Sequence, residues 1–227
     1  MAPSRGVLYL KWGTKVDKVF ERSLASLRKF HPELAVHVHA LPDDSSFLNK
    51  SGMMSFTPFD ETLYLDADTV VLDRLDFGFE KATRHGLACA ICECPLARRY
   101  KGLKGDLVEF NTGVLFFTLK AEAVFQDWAR LVRSVDSSIE YRQGNQVYRA
   151  PVNDQAAFAA AIDQSGFLPY VLPLNWNFRP RWHKSFWGPI KIWHEYAEVP
   201  AILQQWNAEQ TAPGASVMYF EQGPPPR

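Results

Sequence analysis

Short apolar runs alternate with amphipathic stretches along the chain, and this pattern predicts an α/β domain. Residues 6–10 form an apolar run that is typical of a buried first strand. Apolar residues then recur every three or four positions over 16–27, which predicts a helix that closes before Pro32. A second strand is predicted at 35–39. A strand–helix–strand unit of this kind is typical of a parallel sheet.

The pattern continues in shorter elements to the end of the chain. Further strands are predicted at 62–65, 69–72, 86–92, 114–117, 168–174 and 190–194. Helices are predicted at 120–134, at 154–163 with Asn153 as the N-cap, and at 201–206, with a short helix or ordered loop at 50–57. Irregular polar chain is predicted at 98–109 and 136–149. No change of composition marks a linker, so 1–227 is predicted to form one domain with a frayed tail at 222–227.

Composition and charge exclude several classes of protein. The 227 residues are 47% apolar and 22% charged, which is ordinary for a globular protein and excludes a chain disordered throughout. Lys and Arg total 25 and balance 25 Asp and Glu, so a nucleic-acid partner is not expected. No apolar segment approaches the roughly 18 residues of a membrane span. The cysteines are clustered at 89, 92 and 94 and odd in number, which favours a reduced, cytoplasmic protein over a disulfide framework.

Two carboxylates follow a predicted buried strand directly, in the run Leu63-Tyr64-Leu65-Asp66-Ala67-Asp68. Side chains at i and i+2 of an extended chain point the same way, so Asp66 and Asp68 are expected to face one point. That point lies beyond the carboxyl end of the strand, where open α/β sheets bind ligands. Paired carboxylates repel each other, and a hard divalent cation such as Mn²⁺ or Mg²⁺ removes this repulsion. An ordinary acidic turn after a strand is the alternative.

The pattern Asp66-x-Asp68-x-Val70-Val71 also resembles the first motif of phosphatases that use an aspartyl nucleophile. That motif usually lies at the first strand, whereas a complete strand–helix–strand unit precedes it here. These enzymes also need a late acidic pair, and the sequence after residue 68 contains neither Asp-Asp nor Gly-Asp-x-x-x-Asp. A phosphatase therefore remains the second hypothesis.

Three further segments follow the Asp66–Asp68 strand in a fixed order along the chain. They are Phe110-Asn111-Thr112-Gly113-Val114, Asn153-Asp154-Gln155 and Ile192-Trp193-His194. Together with 59–71 they resemble the Asp-x-Asp strand, the Asn-x-Gly-Val segment, the Asp-Gln segment and the late histidine strand of GT-A glycosyltransferases of family 8 and their short bacterial relatives. The resemblance extends over 6–195. It implies a GT-A type, Rossmann-like α/β fold with a mostly parallel central sheet flanked by helices.

The resemblance also implies a chemistry and roles for these residues. The activity would be metal-dependent transfer of a sugar from a nucleotide-diphosphate sugar, with UDP-sugar favoured, to an acceptor hydroxyl with retention. Asp66 would contact the ribose and, with Asp68 and His194, hold Mn²⁺ or Mg²⁺. Asp154 would bind hydroxyls of the donor sugar, and Gln155 would lie beneath its anomeric carbon. Residues 1–118 would form a nucleotide-binding half and 119–227 an acceptor-binding half that completes the metal site.

Other residues are expected to bind the donor, with ordinary structural roles as the alternative for each. Tyr9 or Trp12 could stack on the base at the end of the first strand, or pack in the core. Lys191 could neutralise a diphosphate oxygen. It belongs to a Gly-x-x-Lys sequence, which is half of the family signature His-x-x-Gly-x-x-Lys, but the preceding histidine lies five residues before the glycine instead of three. The remaining expected donor contacts are Lys11, Lys50, Ala67, Asn111 and Gly113.

The acceptor cannot be derived from these motifs and could be a glycan, a lipid-linked sugar, a small molecule or a protein. A sugar-phosphate nucleotidyltransferase shares a similar fold, but residues 6–10 lack its glycine-rich basic loop. A non-catalytic module that binds a nucleotide sugar or a glycan is the third hypothesis. The dense aromatic stretch from Asn175-Trp176-Asn177 to Trp187 could stack on sugar rings or pack the core.

Overall fold

A computed structural model of the chain describes residues 3–92, 106–135, 139–150, 154–182, 185–210 and 218–220. The helices are α1 (Asp17–Phe30), α2 (Met53–Phe56), α3 (Asp76–His85), α4 (Glu122–Leu131), α5 (Gln155–Ser165) and α6 (Ala201–Gln210). The strands are β1 (Arg5–Lys11), β2 (Ala35–Ala40), β3 (Glu61–Leu65), β4 (Thr69–Val71), β5 (Leu87–Ile91), β6 (Phe110–Thr118), β7 (Ile139–Gln143), β8 (Gln146–Ala150), β9 (Tyr170–Leu172), β10 (Ser185–Trp187), β11 (Ile192–His194) and β12 (Met218–Phe220).

The central sheet has six strands in the order β2-β1-β3-β6-β5-β9. Strand β1 is parallel to β2 and β3, and β5 is parallel to β9, whereas β6 is antiparallel to both β3 and β5. The sheet is therefore mostly parallel with one reversed strand. This arrangement confirms the predicted α/β class and the predicted strand–helix–strand unit, in which α1 connects β1 to β2.

Apolar clusters cover both faces of the sheet. On one face, Leu8, Tyr64 and Phe117 pack with Trp128 of α4 and Phe158 of α5. On the other face, alternate residues of the same strands pack with Leu27 of α1 and Phe79 of α3. These strand residues are Val7, Tyr9, Leu63 and Phe116. All nine residues of β6 are buried, as expected for a central strand with helices on both sides.

Helix α3 and the strands β7, β8, β10 and β12 were not predicted. Helix α3 contains Gly78, and an interior glycine costs roughly 1 kcal/mol of helix propensity relative to alanine. The glycine is needed there because a Cβ would lie 2.5 Å from Cζ of Phe116. The antiparallel strands β7 and β8 lie in a segment that the sequence predicted as irregular chain. Gly144 has a φ of 61° between these strands, in the left-handed region that glycine adopts without strain.

Several predictions lie outside the described residues. They are Asn153 as an N-cap, residues 98–105 of the irregular chain predicted at 98–109, and the frayed tail at 222–227. No helix in the described ranges is long and apolar enough to cross a membrane.

Candidate active site

The Asp66-Ala67-Asp68 segment is a tight turn between β3 and β4. The backbone N–H of Asp66 donates to the carbonyl of Gly113 (2.8 Å), which extends the pairing of β3 with β6 by one step. The chain then turns, and the backbone N–H and hydroxyl of Thr69 both donate to the carbonyl of Asp66 (3.2 and 2.8 Å). The expectation that the two carboxylates converge is therefore correct, but a turn brings them together instead of an extended strand.

His194 reaches these carboxylates through an antiparallel strand pair. Strand β4 leaves the central sheet and pairs with β11, in a register that sets Thr69 opposite His194. Nε2 of His194 lies 3.3 Å from Oδ1 of Asp68 and 3.8 Å from Oδ2 of Asp66. One ligand atom from each of the three residues lies within 4.8 Å of the others. Two carboxylates and one imidazole at this spacing fit a divalent cation, and carboxylate oxygens suit Mn²⁺ and Mg²⁺.

A buried lysine and a tyrosine hold Asp66 from below. Nζ of Lys50 lies 2.9 Å from Oδ1 of Asp66 and 3.0 Å from Oδ2, and the hydroxyl of Tyr64 donates to Oδ1 (2.6 Å). Burial acts to lower the pKa of Lys50, but the negative charges of Asp66, Asp154 and Asp68 outweigh it and raise that pKa. Burial and the charge of Asp66 raise the pKa of Tyr64. Both shifts favour the protonated forms, so Lys50 is a cation and Tyr64 a hydrogen-bond donor at neutral pH.

Asp154 lies beside this cluster, immediately before α5. It is 4% exposed, and the hydroxyl of Thr112 donates to its Oδ2 (2.7 Å). Trp128 fixes the backbone there, because its indole N–H donates to the carbonyl of Asp154 (3.0 Å). The side chain makes no capping hydrogen bond to α5, and the alternative of a carboxylate that favours the helix N-terminus stays open. Burial raises the pKa of Asp154, against the charge of Lys50, and Gln155 follows in the first turn of α5.

Asn111 and Gly113 shape the site from the reversed strand β6. Oδ1 of Asn111 accepts hydrogen bonds from the backbone N–H of Gly113 and from Nδ2 of Asn177, both at 2.9 Å. A Cβ on Gly113 would lie 2.3 Å from Cε1 of His194 and 2.6 Å from Oδ2 of Asp66. The missing side chain of Gly113 therefore leaves the space in which Asp66 and His194 meet, and Asn111 holds the backbone of Gly113 in place. Their expected contacts with a donor stay predictions.

A cleft of about 720 Å³ opens in front of the Asp66–Asp68 turn. The turn forms one side, including Ala67, and the loop after β1 forms another. Aromatic side chains line the cleft: Trp12, Phe47, Tyr64 and Tyr196. The rings of Trp12 and Phe47 meet edge to face with centroids 6.0 Å apart.

The segment that carries Tyr196 follows His194 and is held to α1 by Arg22. The guanidinium of Arg22 donates to the carbonyls of Glu195 (2.7 Å), Tyr196 (2.9 Å) and Ala197 (3.1 Å). The backbone N–H of Glu195 donates to the carbonyl of Asp68 (3.1 Å). The cleft wall and the Asp66–Asp68 turn are therefore tied to each other directly. Arg22 was not predicted, because these contacts join residues far apart in the sequence.

Three of the expected donor contacts point elsewhere. Tyr9 is fully buried, its hydroxyl is 3.0 Å from that of Ser23, and its ring packs edge to face on Phe20 of α1. Lys11 lies on the same strand face and pairs with Asp17 of α1 (2.8 Å). Because side chains alternate along a strand, Trp12 takes the opposite face from these two and is the one that reaches the cleft. The expectation of base stacking by Tyr9 is thus corrected, whereas the expected donor contact of Lys11 stays a prediction.

Lys191 is the third. Lys191 lies three residues before His194 in the sequence, and its ammonium pairs with Asp73 (2.5 Å). Lys191 is not among the residues that line the cleft. The glycine of the Gly-x-x-Lys sequence, Gly188, has a φ of 81° and serves a backbone turn. The histidine of the incomplete signature, His183, lies outside the described residues. The expected diphosphate contact of Lys191 stays a prediction.

The sheet order, the reversed β6 and the acidic turn after β3 define the GT-A fold, which confirms the fold predicted from the motifs. The chain is similar to the solved structure of the galactosyltransferase LgtC in complex with donor and acceptor sugar analogs, with a TM-score of 0.56, 15% sequence identity and 92% of each chain covered. It is also similar to mouse xyloside xylosyltransferase 1, with a TM-score of 0.58, 14% identity, and 87% of this chain and 100% of that chain covered.

A third similar structure is a glycosyltransferase involved in the glycosylation of the major capsid of PBCV-1, with a TM-score of 0.53, 12% identity, and 91% of this chain and 99% of that chain covered. At these identities the likeness establishes the fold. No family model matches the sequence, and no curated protein sequence matches it either. Membership of family 8 therefore stays a prediction.

Proposed function

We propose that the protein is a metal-dependent glycosyltransferase that takes its sugar from a nucleotide-diphosphate donor. The observation that carries the proposal is the convergence of Asp66, Asp68 and His194 at the mouth of a cleft in a GT-A fold. The fold alone is shared by several solved glycosyltransferases. The three ligand side chains add the chemistry that a diphosphate donor requires.

The three ligand residues would act on the leaving group. As the bond between sugar and phosphate breaks, negative charge grows on the diphosphate, and a divalent cation bound by Asp66, Asp68 and His194 would supply the Lewis acid that stabilises it. Lys50 keeps its positive charge beneath Asp66 and lowers the repulsion among the carboxylates. Tyr64 holds Oδ1 of Asp66, which leaves Oδ2 directed toward His194.

Asp154 and Gln155 are proposed to handle the donor sugar. Asp154 is a buried carboxylate with one oxygen engaged by Thr112, so the second is suited to accept a hydrogen bond from a sugar hydroxyl. Gln155 offers a neutral amide, which is a poor nucleophile. An amide beneath the anomeric carbon fits transfer on the face that the leaving group occupied, in which the departing phosphate takes the proton of the acceptor hydroxyl. Retention is part of this proposal.

The nucleotide is proposed to bind along the loop after β1. Trp12 lines the cleft there and offers an aromatic face to a base. UDP is the favoured nucleotide because the motifs resemble those of UDP-dependent enzymes. The acceptor would approach from the open side of the cleft.

The first test is thermal unfolding with UDP, GDP, ADP and CDP, each with and without Mn²⁺. A ligand at about 100 times its dissociation constant adds about 2.7 kcal/mol to the native state. We expect a stabilisation that needs both one nucleoside diphosphate and Mn²⁺. Asp68→Ala should abolish it while the chain stays folded, and the exposed Asp163→Ala should keep it. Stabilisation by no nucleotide, or an unchanged response in Asp68→Ala, would remove the proposed donor site.

The second test is turnover. The nucleotide that stabilises the chain defines the donors to be screened, with release of free nucleoside diphosphate as the readout. We expect Mn²⁺-dependent release in the wild type, severe loss in Asp66→Asn, and a lower rate in Gln155→Ala with a smaller effect on nucleotide binding. Tight nucleotide binding without release from any donor sugar would instead favour the non-catalytic binding module.

A further inference from the structure

A chain of buried amides links the backbone of β6 to the ring of His194. Oδ1 of Asn111 accepts from the N–H of Gly113 and from Nδ2 of Asn177, and Oδ1 of Asn177 lies 2.7 Å from Nδ1 of His194. Asn111 is 6% exposed and Asn177 only 2%, so water does not compete for these groups. Asn177 comes from the turn after Trp176, far from the metal-site residues in the sequence.

The backbone N–H of Gly113 fixes which group donates and which accepts in every hydrogen bond of this network. A backbone N–H can only donate, so it is the oxygen of Asn111 that faces Gly113. That oxygen also faces Asn177, which must therefore present its NH₂ group to Asn111. The oxygen of Asn177 is left facing His194, and because an amide oxygen only accepts, Nδ1 of His194 carries the hydrogen.

This order of donors and acceptors has a consequence at the other ring nitrogen. In a neutral imidazole with its hydrogen on Nδ1, Nε2 holds a lone pair. Nε2 is the nitrogen that faces Asp68 (3.3 Å) and Asp66 (3.8 Å). The other tautomer would place a hydrogen on Nε2 and donate it to Asp68, and the ring could not then bind a cation.

We propose that Asn177 is a positioning residue that holds His194 in the Nδ1–H tautomer and so prepares Nε2 as a metal ligand, with Asn111 fixing the orientation of Asn177. The use of that metal in sugar transfer rests on the proposed function, but the tautomer and the cation affinity do not. Partners of this kind around a ligating histidine typically change metal affinity by about 10- to 100-fold.

The test compares two buried asparagines of the same turn. Asn175 is 7% exposed, but its Nδ2 donates to the carbonyl of Pro189 (2.5 Å) and not to His194. Asn177→Leu removes the acceptor for Nδ1–H, Asn175→Leu is the matched control, and Asn177→Asp keeps an oxygen that accepts from Nδ1. Ring ¹⁵N NMR of the metal-free proteins reports the tautomer, with the His194 signals assigned by their loss in His194→Gln. The spectra are taken at about pH 9, well above the usual histidine pKa of about 6.5.

We expect the Nδ1–H tautomer in the wild type, in Asn175→Leu and in Asn177→Asp, and the Nε2–H tautomer in Asn177→Leu. Mn²⁺ titration calorimetry should show binding weakened by about 10- to 100-fold in Asn177→Leu alone. Equal weakening in both leucine variants would reduce Asn177 to a packing role and overturn the proposal. An Nε2–H ring in the wild type would overturn it even if Asn177→Leu failed to fold. Neither measurement needs a sugar donor, so absent sugar transfer would refute the proposed function and leave this result intact.

Discussion

The ammonium of Lys50 lies within 3.0 Å of both carboxylate oxygens of Asp66, at a position where the lysine is only 3% exposed. The charges of Asp154 and Asp68 also act on it. One buried cation thus balances part of the negative charge of three carboxylates that the proposed chemistry requires in one place. A divalent cation would supply the rest.

Lys50→Met is expected to destabilise the fold, because methionine keeps most of the length of the side chain and removes its charge. Breaking a fully buried ion pair from one side costs about 3–5 kcal/mol. The side chain of Asp66 is 23% exposed and keeps its hydrogen bond from Tyr64, so we expect a loss toward the lower end of that range. Urea unfolding measures the loss, and saturating Mn²⁺ should restore part of it. Lys15→Met is the matched control, since Lys15 lies exposed on the wall of the same cleft. Equal unfolding free energies for Lys50→Met and the wild type would contradict this account.

Gly113→Ala is expected to disrupt the metal site. The new Cβ would lie 2.3 Å from Cε1 of His194 and 2.6 Å from Oδ2 of Asp66, so at least one of these two side chains must move. We expect Mn²⁺ affinity at least about tenfold lower, together with the roughly 1–3 kcal/mol cost of overpacking.

The control for this substitution is Gly144→Ala, between β7 and β8. A Cβ there meets nothing within 4 Å, but the φ of 61° makes alanine strained. It should cost about 1–2 kcal/mol of stability and leave Mn²⁺ affinity unchanged. If calorimetry gave both alanine variants the wild-type affinity, Gly113 would have no role in shaping the site.

The parts of the fold that depend on local pattern could be predicted. The period of apolar residues gives β1, α1 and β2, and the unbroken apolar run before Asp66 gives β3. The pattern did not show toward which face of the sheet each side chain of a strand points. Tyr9, Lys11 and Trp12 are neighbours in the sequence, yet alternation sends the first two toward α1 and only Trp12 into the cleft.

The site itself was only partly predictable, because its residues meet through pairings between distant segments. His194 was expected from its resemblance to a family motif. Its position depends on the pairing of β4 with β11, which no local pattern indicates. Asn177 was considered only as part of a stretch that could contact sugars or pack the core. Its hydrogen bond to His194 depends on a second pairing, in which the backbone N–H of His194 donates to the carbonyl of Phe178 (2.8 Å).

The corrected roles of Tyr9 and Trp12 lead to opposite expectations. Trp12→Ala should weaken binding of the nucleoside diphosphate that stabilises the protein, since stacking of a base on an aromatic ring is worth about 1–3 kcal/mol. Tyr9→Phe should leave nucleotide affinity unchanged and lower the unfolding free energy by about 1 kcal/mol, because it removes the buried hydrogen bond with Ser23. Calorimetry and urea unfolding measure the two quantities. A loss of nucleotide affinity in Tyr9→Phe equal to that in Trp12→Ala would reverse the assignment.

Asp154 is expected to reduce stability while it is ionised. Burial raises its pKa above the usual 3.8, although Lys50 and the hydroxyl of Thr112 oppose the shift. A carboxyl whose pKa is higher in the folded chain loses its proton first in the unfolded chain as the pH rises. Its contribution therefore favours the folded state at low pH, and that contribution is lost as the pH rises from 3.8 to the folded pKa.

Asp154→Asn should remove this loss of unfolding free energy with rising pH. The amide oxygen still accepts a hydrogen bond from Thr112, and the side chain carries no charge to bury. Relative to the wild type, the variant should gain stability as the pH rises from 3.8 through the folded pKa of Asp154, and the difference should stay constant above that pKa. Lys50 stays charged throughout this range, so the pH dependence of the difference reports on Asp154. The exposed Asp163→Asn on α5 shows what removal of a charge from that helix does by itself. Donor turnover should fall in Asp154→Asn as stability rises, which is the trade-off expected of a buried functional group. A stability difference that shrank with rising pH would mean that the folded protein favours the ionised form, and that Asp154 is a structural partner of Lys50.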